Sequence, residues 1–123
     1  MPRLEIGKGQ MKVLRVLWAQ KRATAQEVTD ILNQTEPAKF STVCTFLRLL
    51  VRNGVAGYDV EKRTYIYYPL VKEDSIATHA VKGLIDHVFS GSLEGFVSFM
   101  LRKKLISPEE LTKAQETLDN EEK

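Results

Sequence analysis

Phe40-Ser41-Thr42-Val43-Cys44-Thr45-Phe46-Leu47-Arg48-Leu49-Leu50-Val51-Arg52-Asn53-Gly54 is the stretch that decides the fold. Val43, Phe46, Leu47, Leu50 and Val51 recur at i, i+3, i+4, i+7 and i+8, the apolar face of one α-helix. Ser41 can serve as its N-cap, and Gly54 stands where a helix closes in a left-handed residue. Ser41, Thr45, Arg48 and Arg52 lie on the opposite face, with Thr42 and Leu49 at its edge. A solvated polar face is the simplest account of such a helix. Hydroxyls near its start and guanidinium groups further along also suit a helix lying in a DNA major groove. The flanking chain decides between the two.

Downstream the period changes to two. Val55 to Val60 and Thr64 to Leu70 alternate and are rich in β-branched and aromatic residues around a charged tip, Glu61-Lys62-Arg63. Tyr65 and Tyr67 face one side, Ile66, Tyr68 and Leu70 the other, and Pro69 limits the second strand near its end. Plain core cover would explain a hairpin. One with a basic tip, placed directly after a helix of this kind, reads better as the wing of a winged helix, reaching a phosphate or the minor groove.

Upstream, Gln10 to Trp18 carries Met11, Leu14, Leu17 and Trp18 at helical spacing, closed by Lys21-Arg22 where the helix dipole favours cations. Thr24-Ala25-Gln26-Glu27 matches a capping box and opens a second helix burying Ala25, Val28, Ile31 and Leu32. Asn33 to Lys39, with Pro37, is a loop. A short helix, a turn and a longer helix with a split face form a helix-turn-helix arrangement.

Charge separates front from back. Met1 to Lys72 holds twelve Lys and Arg against six Asp and Glu, a net +6, whereas Glu73 to Lys123 holds six against ten, a net −4. That division fits a phosphate-facing module, residues 1–72, joined to one of another kind, residues 73–123. With 43% hydrophobic and 28% charged residues, the 123-residue chain has the composition of a soluble globular protein with one full core, or a small domain plus an extension. It has no apolar run near about 18 residues and no apolar leader, so a cytoplasmic location without membrane insertion is expected. Cys44 is the only cysteine, which excludes an internal disulfide and a Cys-x-x-Cys metal site.

The back half is helical. Asp74 or Ser75 starts a helix with Ile76, Ala77, Ala80, Val81, Leu84, Ile85 and Val88, and Ser90-Gly91-Ser92 interrupts it. Leu93, Phe96, Val97, Met100 and Leu101 make a second apolar stripe, with Phe99 beside it. Ser107-Pro108-Glu109-Glu110 is a capped helix start, followed by a narrow face of Leu111, Ala114 and Leu118. These helices have too little core of their own. A homodimer built on Ile76, Ala80, Leu84, Val88, Leu93, Phe96, Val97, Met100, Leu111 and Leu118 is expected, with packing onto the front half of a monomer as the alternative.

No catalytic constellation stands out, so the chain does not read as an enzyme. His79 and His87 are separated by about 12 Å of helix rise, too far to share a metal unaided, and no metal or other cofactor is expected. Cys44 flanks the apolar face of the third helix. A thiol switch there would act on DNA binding directly, although most lone helical cysteines are inert small hydrophobes.

Val13-Leu14-Arg15-Val16-Leu17-Trp18, Ala23-Thr24-Ala25-Gln26-Glu27-Val28, Phe40-Ser41-Thr42-Val43, Tyr65-Ile66-Tyr67-Tyr68-Pro69-Leu70 and Ser107-Pro108-Glu109-Glu110-Leu111 together resemble the penicillinase-repressor (BlaI/MecI/CopY) family, in order and spacing from about Gln10 to Leu118. The resemblance implies a winged-helix N-terminal domain, a three-helix C-terminal dimerisation region and repression of target promoters. In the β-lactam-responsive branch a membrane metallopeptidase sensor triggers cleavage within the C-terminal helices. Ungapped matching puts that point at Phe99-Met100, where the family has Asn-Phe. The copper branch carries a C-terminal Cys-x-Cys pair, which this chain lacks. The family also has a basic residue where Cys44 stands and an Arg where Leu49 stands, so its operator sequence does not transfer.

The expectation is a mainly α protein with a small β-hairpin: a winged helix-turn-helix DNA-binding domain followed by a helical dimerisation region. Ser41, Thr42, Thr45, Arg48 and Arg52 are expected to face the DNA, with Lys62 and Arg63 supporting from the wing. The partners expected are operator DNA, a second copy of the chain, and a membrane metallopeptidase sensor or associated protease. Two other readings remain: a winged-helix protein-interaction module without specific DNA binding, and a thiol-responsive regulator acting through Cys44.

Overall fold

The computed structural model describes residues 1–122. These form α1 (Lys8–Gln20), β1 (Ala23–Thr24), α2 (Ala25–Leu32), α3 (Phe40–Arg52), β2 (Ala56–Glu61), β3 (Thr64–Pro69), α4 (Glu73–Val88), α5 (Leu93–Arg102) and α6 (Pro108–Glu121). Met1–Ala80 is one compact unit, and a second begins at Val81.

The first unit is built on α3. Val43, Leu47 and Leu50 are buried, as the spacing predicts, against Val13, Leu14 and Leu17 of α1 and Val28 of α2. The helix starts earlier than expected. Its N-cap is Lys39, not Ser41, and Val43 N donates to Lys39 O at 3.0 Å. The preceding loop explains this: the Asn33 side chain donates to Ala38 O at 3.1 Å and accepts from Ala38 N at 2.8 Å, fixing the loop just before the first turn. Ser41 is thereby left on the second helical position with its hydroxyl unused as a cap.

At the other end Gly54, with φ +77°, takes the left-handed position, and Val55 N donates to Leu50 O at 3.0 Å. Gly9 permits the closest approach of α1 and α3, since a Cβ there would stand 2.5 Å from Phe46 Cζ. The Thr24–Glu27 capping box is present, with Thr24 Oγ1 accepting from Glu27 N at 3.1 Å and Glu27 Oε1 accepting from Thr24 N at 2.8 Å.

Beyond the expected hairpin there is a third strand. The sheet runs β1-β3-β2, both pairings antiparallel, with Ala23 opposite Tyr67 and Tyr58 opposite Tyr67 from the other side. Alternation then sorts the wing. Ala23, Ala56, Tyr58, Val60, Tyr65 and Tyr67 share the face turned to the helices, while Gly57, Asp59, Glu61, Ile66 and Tyr68 share the other.

Ile76, expected at a dimer seam, is instead 6% exposed and belongs to the core of the first unit, so the opening turns of α4 are held there. α4 starts at Glu73, just before the Asp74 or Ser75 expected. Trp18 Nε1 donates to Val71 O at 2.9 Å and ties α1 to the chain that leads into α4.

In the second unit Ser90 and Gly91 turn the chain at φ 51° and 79°, and Gly91 N donates to Ile85 O at 2.9 Å. Phe89 meets Phe96 and Phe99, each at 5.4 Å between ring centroids. α6 opens on the expected capping box, with Ser107 Oγ accepting from Glu110 N at 3.0 Å and Pro108 at its first position. None of the described residues from Val81 onward is buried.

Candidate nucleic-acid interface

Along α3 the side chains of Ser41, Thr42, Thr45, Arg48 and Arg52 are all exposed. Thr45 Oγ1 donates to Ser41 O at 3.1 Å, which spends its proton on the helix and leaves its lone pairs outward. Arg48 Nη2 donates to that oxygen at 3.2 Å. The guanidinium is thereby held over the preceding turn of the helix on its exposed face, with further N–H groups that a base edge or a phosphate can accept from. Cys44 and Leu49 are half-buried at the edges of this face.

Lys62 and Arg63 are exposed at the tip between β2 and β3, with φ 49° and 71°. Glu61 pairs directly with Thr64, so the tip is a two-residue turn rather than the three-residue charged loop expected. The acids of the wing are turned to its other face. There Arg22 Nη2 lies 3.2 Å from Asp59 Oδ2 and 3.3 Å from Glu61 Oε1, a partial neutralisation that the sequence reading missed. A two-residue tip would have revealed it, since alternation back from Glu61 puts Asp59 on the same face.

Tyr67 ties the wing into the core of the first unit. It is 8% exposed, and burial pushes its phenol above the ordinary value of 10.0. Cys44, Tyr65 and Tyr58 push the same way, and the Arg48 cation opposes them. The Arg48 cation of α3 is thus among the charges that act on the wing at Tyr67.

Of the residues expected at a dimer seam, Ala80, Leu84, Val88, Leu93, Leu111 and Leu118 are exposed, and Phe96, Val97 and Met100 are half-buried. Phe99 and Met100 lie inside α5, with the Arg102 guanidinium 5.9 Å from the centre of the Phe99 ring. Among the described residues no group of three or more His, Cys, Asp or Glu is placed to hold a metal ion, and no helix is long and apolar enough to cross a membrane.

The chain is 23% identical over 115 residues to the methicillin resistance regulatory protein MecI of Staphylococcus aureus, covering 94% of each chain. It is also 23% identical over 115 residues to the penicillinase repressor of Bacillus licheniformis, covering 94% of this chain and 90% of that one. Its fold is similar to the solution structure of the DNA-binding domain of the repressor BlaI, with a TM-score of 0.53 and 26% identity, over 59% of this chain and 90% of that chain. That likeness fits a mainly α winged helix-turn-helix with a small three-stranded sheet. Residues 6–120 match the family described as Penicillinase repressor. The chain belongs to the penicillinase repressor family.

Proposed function

We propose that the chain is a homodimeric repressor that binds a palindromic operator through α3 and the β2–β3 tip, and that cutting within its C-terminal helices releases it. The coarser part follows from the family: the chain is a DNA-binding transcriptional repressor and not an enzyme. A DNA partner implies a cytoplasmic location.

The observation that carries the reading is the exposed hydroxyl and guanidinium face of α3, with Arg48 held by Thr45. Ser41, Thr42 and Thr45 are suited to base edges and phosphates near the helix start, Arg48 to a guanine edge, and Arg52, Lys62 and Arg63 to phosphates.

Dimerisation is supported by the second unit. Val88 is 65% exposed and Leu93 62%, and neither α5 nor α6 has a buried residue of its own. A twofold partner using the same surfaces is the economical cover for Ala80, Leu84, Val88, Leu93, Phe96, Val97, Met100, Leu111 and Leu118. Release by a protease, itself answering to a membrane metallopeptidase sensor, would require α5 to unwind around Phe99-Met100. Half-buried packing makes such local opening inexpensive.

The test is fluorescence anisotropy with a duplex that the chain has itself selected from a random pool. Binding tighter than to random duplex by about 10³-fold or more, and weakening steeply with salt, is the expected result. Equal affinity for both duplexes would overturn operator recognition.

A further inference from the structure

The helix-facing side of the wing extends past the core and ends in an aromatic patch. Tyr58 and Tyr65 stack at 4.8 Å between ring centroids with 6° between their planes, and Tyr67 lies beneath them at 5.9 and 6.3 Å. Tyr67 is buried, but Tyr58 is 43% exposed, Tyr65 48% and Val60, opposite Tyr65, 54%. The residues of β2 and β3 on this face include no carboxylate, because Asp59 and Glu61 point the other way and are bridged by Arg22. Lys62 and Arg63 close the far end of the patch, at the turn that joins β2 to β3.

A solvent-exposed aromatic stack beside two cations at the hairpin tip, with no carboxylate on its own face of the hairpin, suits a polyanion that also offers apolar surface. Deoxyribose-phosphate has that composition. If α3 occupies one groove of a duplex and the wing tip reaches the neighbouring groove, the strand dividing the grooves must cross the surface between them. The exposed faces of Tyr58, Val60 and Tyr65 are that surface.

We propose that Tyr58 and Tyr65 form a seat for one sugar-phosphate strand of duplex DNA, donating their phenolic O–H groups to phosphate oxygens and packing their rings and Val60 on deoxyribose carbons. This rests on the DNA-binding reading above and adds the residues that hold the strand between the two grooves. A neutral phenol releases no counterion. The seat therefore contributes affinity without contributing to the salt slope, which separates it from Lys62 and Arg63.

The experiment uses the full chain and a duplex it has itself selected from a random pool, with anisotropy titrations over a range of salt. Tyr58→Phe with Tyr65→Phe keeps the ring stack and removes only the O–H groups. It is expected to weaken binding about 10²-fold, about tenfold for each of two hydrogen bonds to a charged group, with the slope of log K against log salt unchanged. Tyr58→Ala with Tyr65→Ala should weaken it further at the same slope. Wild-type affinity in the Phe pair and in a natively melting Ala pair would overturn the seat while leaving DNA binding standing. If the Ala pair fails to fold, nitration with tetranitromethane decides. Both tyrosines should be modified in the free chain and protected on the duplex, and equal modification would overturn the seat. Wild-type chain that selects no duplex, and binds random duplex without salt dependence, would overturn the DNA-binding reading and the seat with it.

Discussion

Lys62 and Arg63 are consecutive side-chain-bearing residues in the left-handed region, at φ 49° and 71°. Together they close the two-residue tip between Glu61 and Thr64. Two positive φ values in succession are what a type I′ hairpin turn demands, and Asn-Gly meets that demand at the least cost. Each residue that carries a full side chain there costs about 1–3 kcal/mol. The wing tip accepts that cost in return for two exposed cations.

Lys62→Asn combined with Arg63→Gly should therefore stabilise the fold while weakening DNA binding. A gain of about 1–2 kcal/mol is expected from relief at the turn. In a unit of this size that corresponds to a rise in Tm of several degrees, about 4–8 °C per kcal/mol. The same variant should lose about 1.8 from the slope of log K against log salt, at about 0.9 per phosphate contact. Calorimetry and salt titration read the two effects separately. A lower Tm would refute the turn argument, and an unchanged slope would mean that the tip never reaches the backbone.

Arg48→Ala should weaken binding to the operator more than to random duplex, by about 1–3 kcal/mol of discrimination. Thr45→Val should produce part of the same loss, because it removes the oxygen that holds the guanidinium at 3.2 Å. Competition titrations against random duplex measure both. An equal loss on both DNAs would reassign Arg48 to phosphate contact, and full discrimination in Thr45→Val would show that the Thr45 bond does not orient it.

What was legible in the sequence was local. The apolar repeat of α3 and the capping boxes at Thr24–Glu27 and Ser107–Glu110 involve residues within a few positions of one another, and the structure contains them. β1 was not legible, because two residues carry no period and its pairing of Ala23 with Tyr67 joins distant parts of the chain. Ile76 shows the limit of a helical stripe: periodicity says that a side chain will be covered, not by what, and here the covering group is the core of the first unit. On the candidate site, the exposed face of α3 followed from the helix period. The Tyr58–Tyr65 stack and the Arg22 bridge depend on hairpin register, which reading the tip as three charged residues obscured.

A chain ending at Phe99 should be a monomer with weakened operator binding. It lacks the end of α5 and all of α6, so each winged domain would engage its half-site alone. Loss of linkage removes avidity on the order of 10²–10⁴. Analytical ultracentrifugation and operator titration of this chain beside the full one check the claim. A dimer of full affinity would exclude cleavage at this point as the release step.

Glu5 offers a pH-dependent contribution in the first unit. Its hydrogen bond to His79, 2.9 Å from Oε1 to Nε2, holds its carboxyl below the ordinary value of 4.5, aided by a backbone hydrogen bond and the nearby His79 charge. A lowered folded value means that the stabilisation is present above about 4.5, the unfolded value, and is lost as pH falls through the folded one. Tm followed from pH 6 to about pH 3 should therefore fall more in the wild type than in Glu5→Gln. Parallel curves for the two proteins would remove the carboxylate from the account.

Selection of duplexes from a random pool by the intact chain reads whether two copies of α3 engage two symmetric half-sites. An inverted repeat should be enriched, with half-site centres about one helical turn, or a small multiple of it, apart. Arg48→Ala should blur the same position in both halves. Enrichment of an unrepeated site, or of no sequence at all, would contradict that engagement.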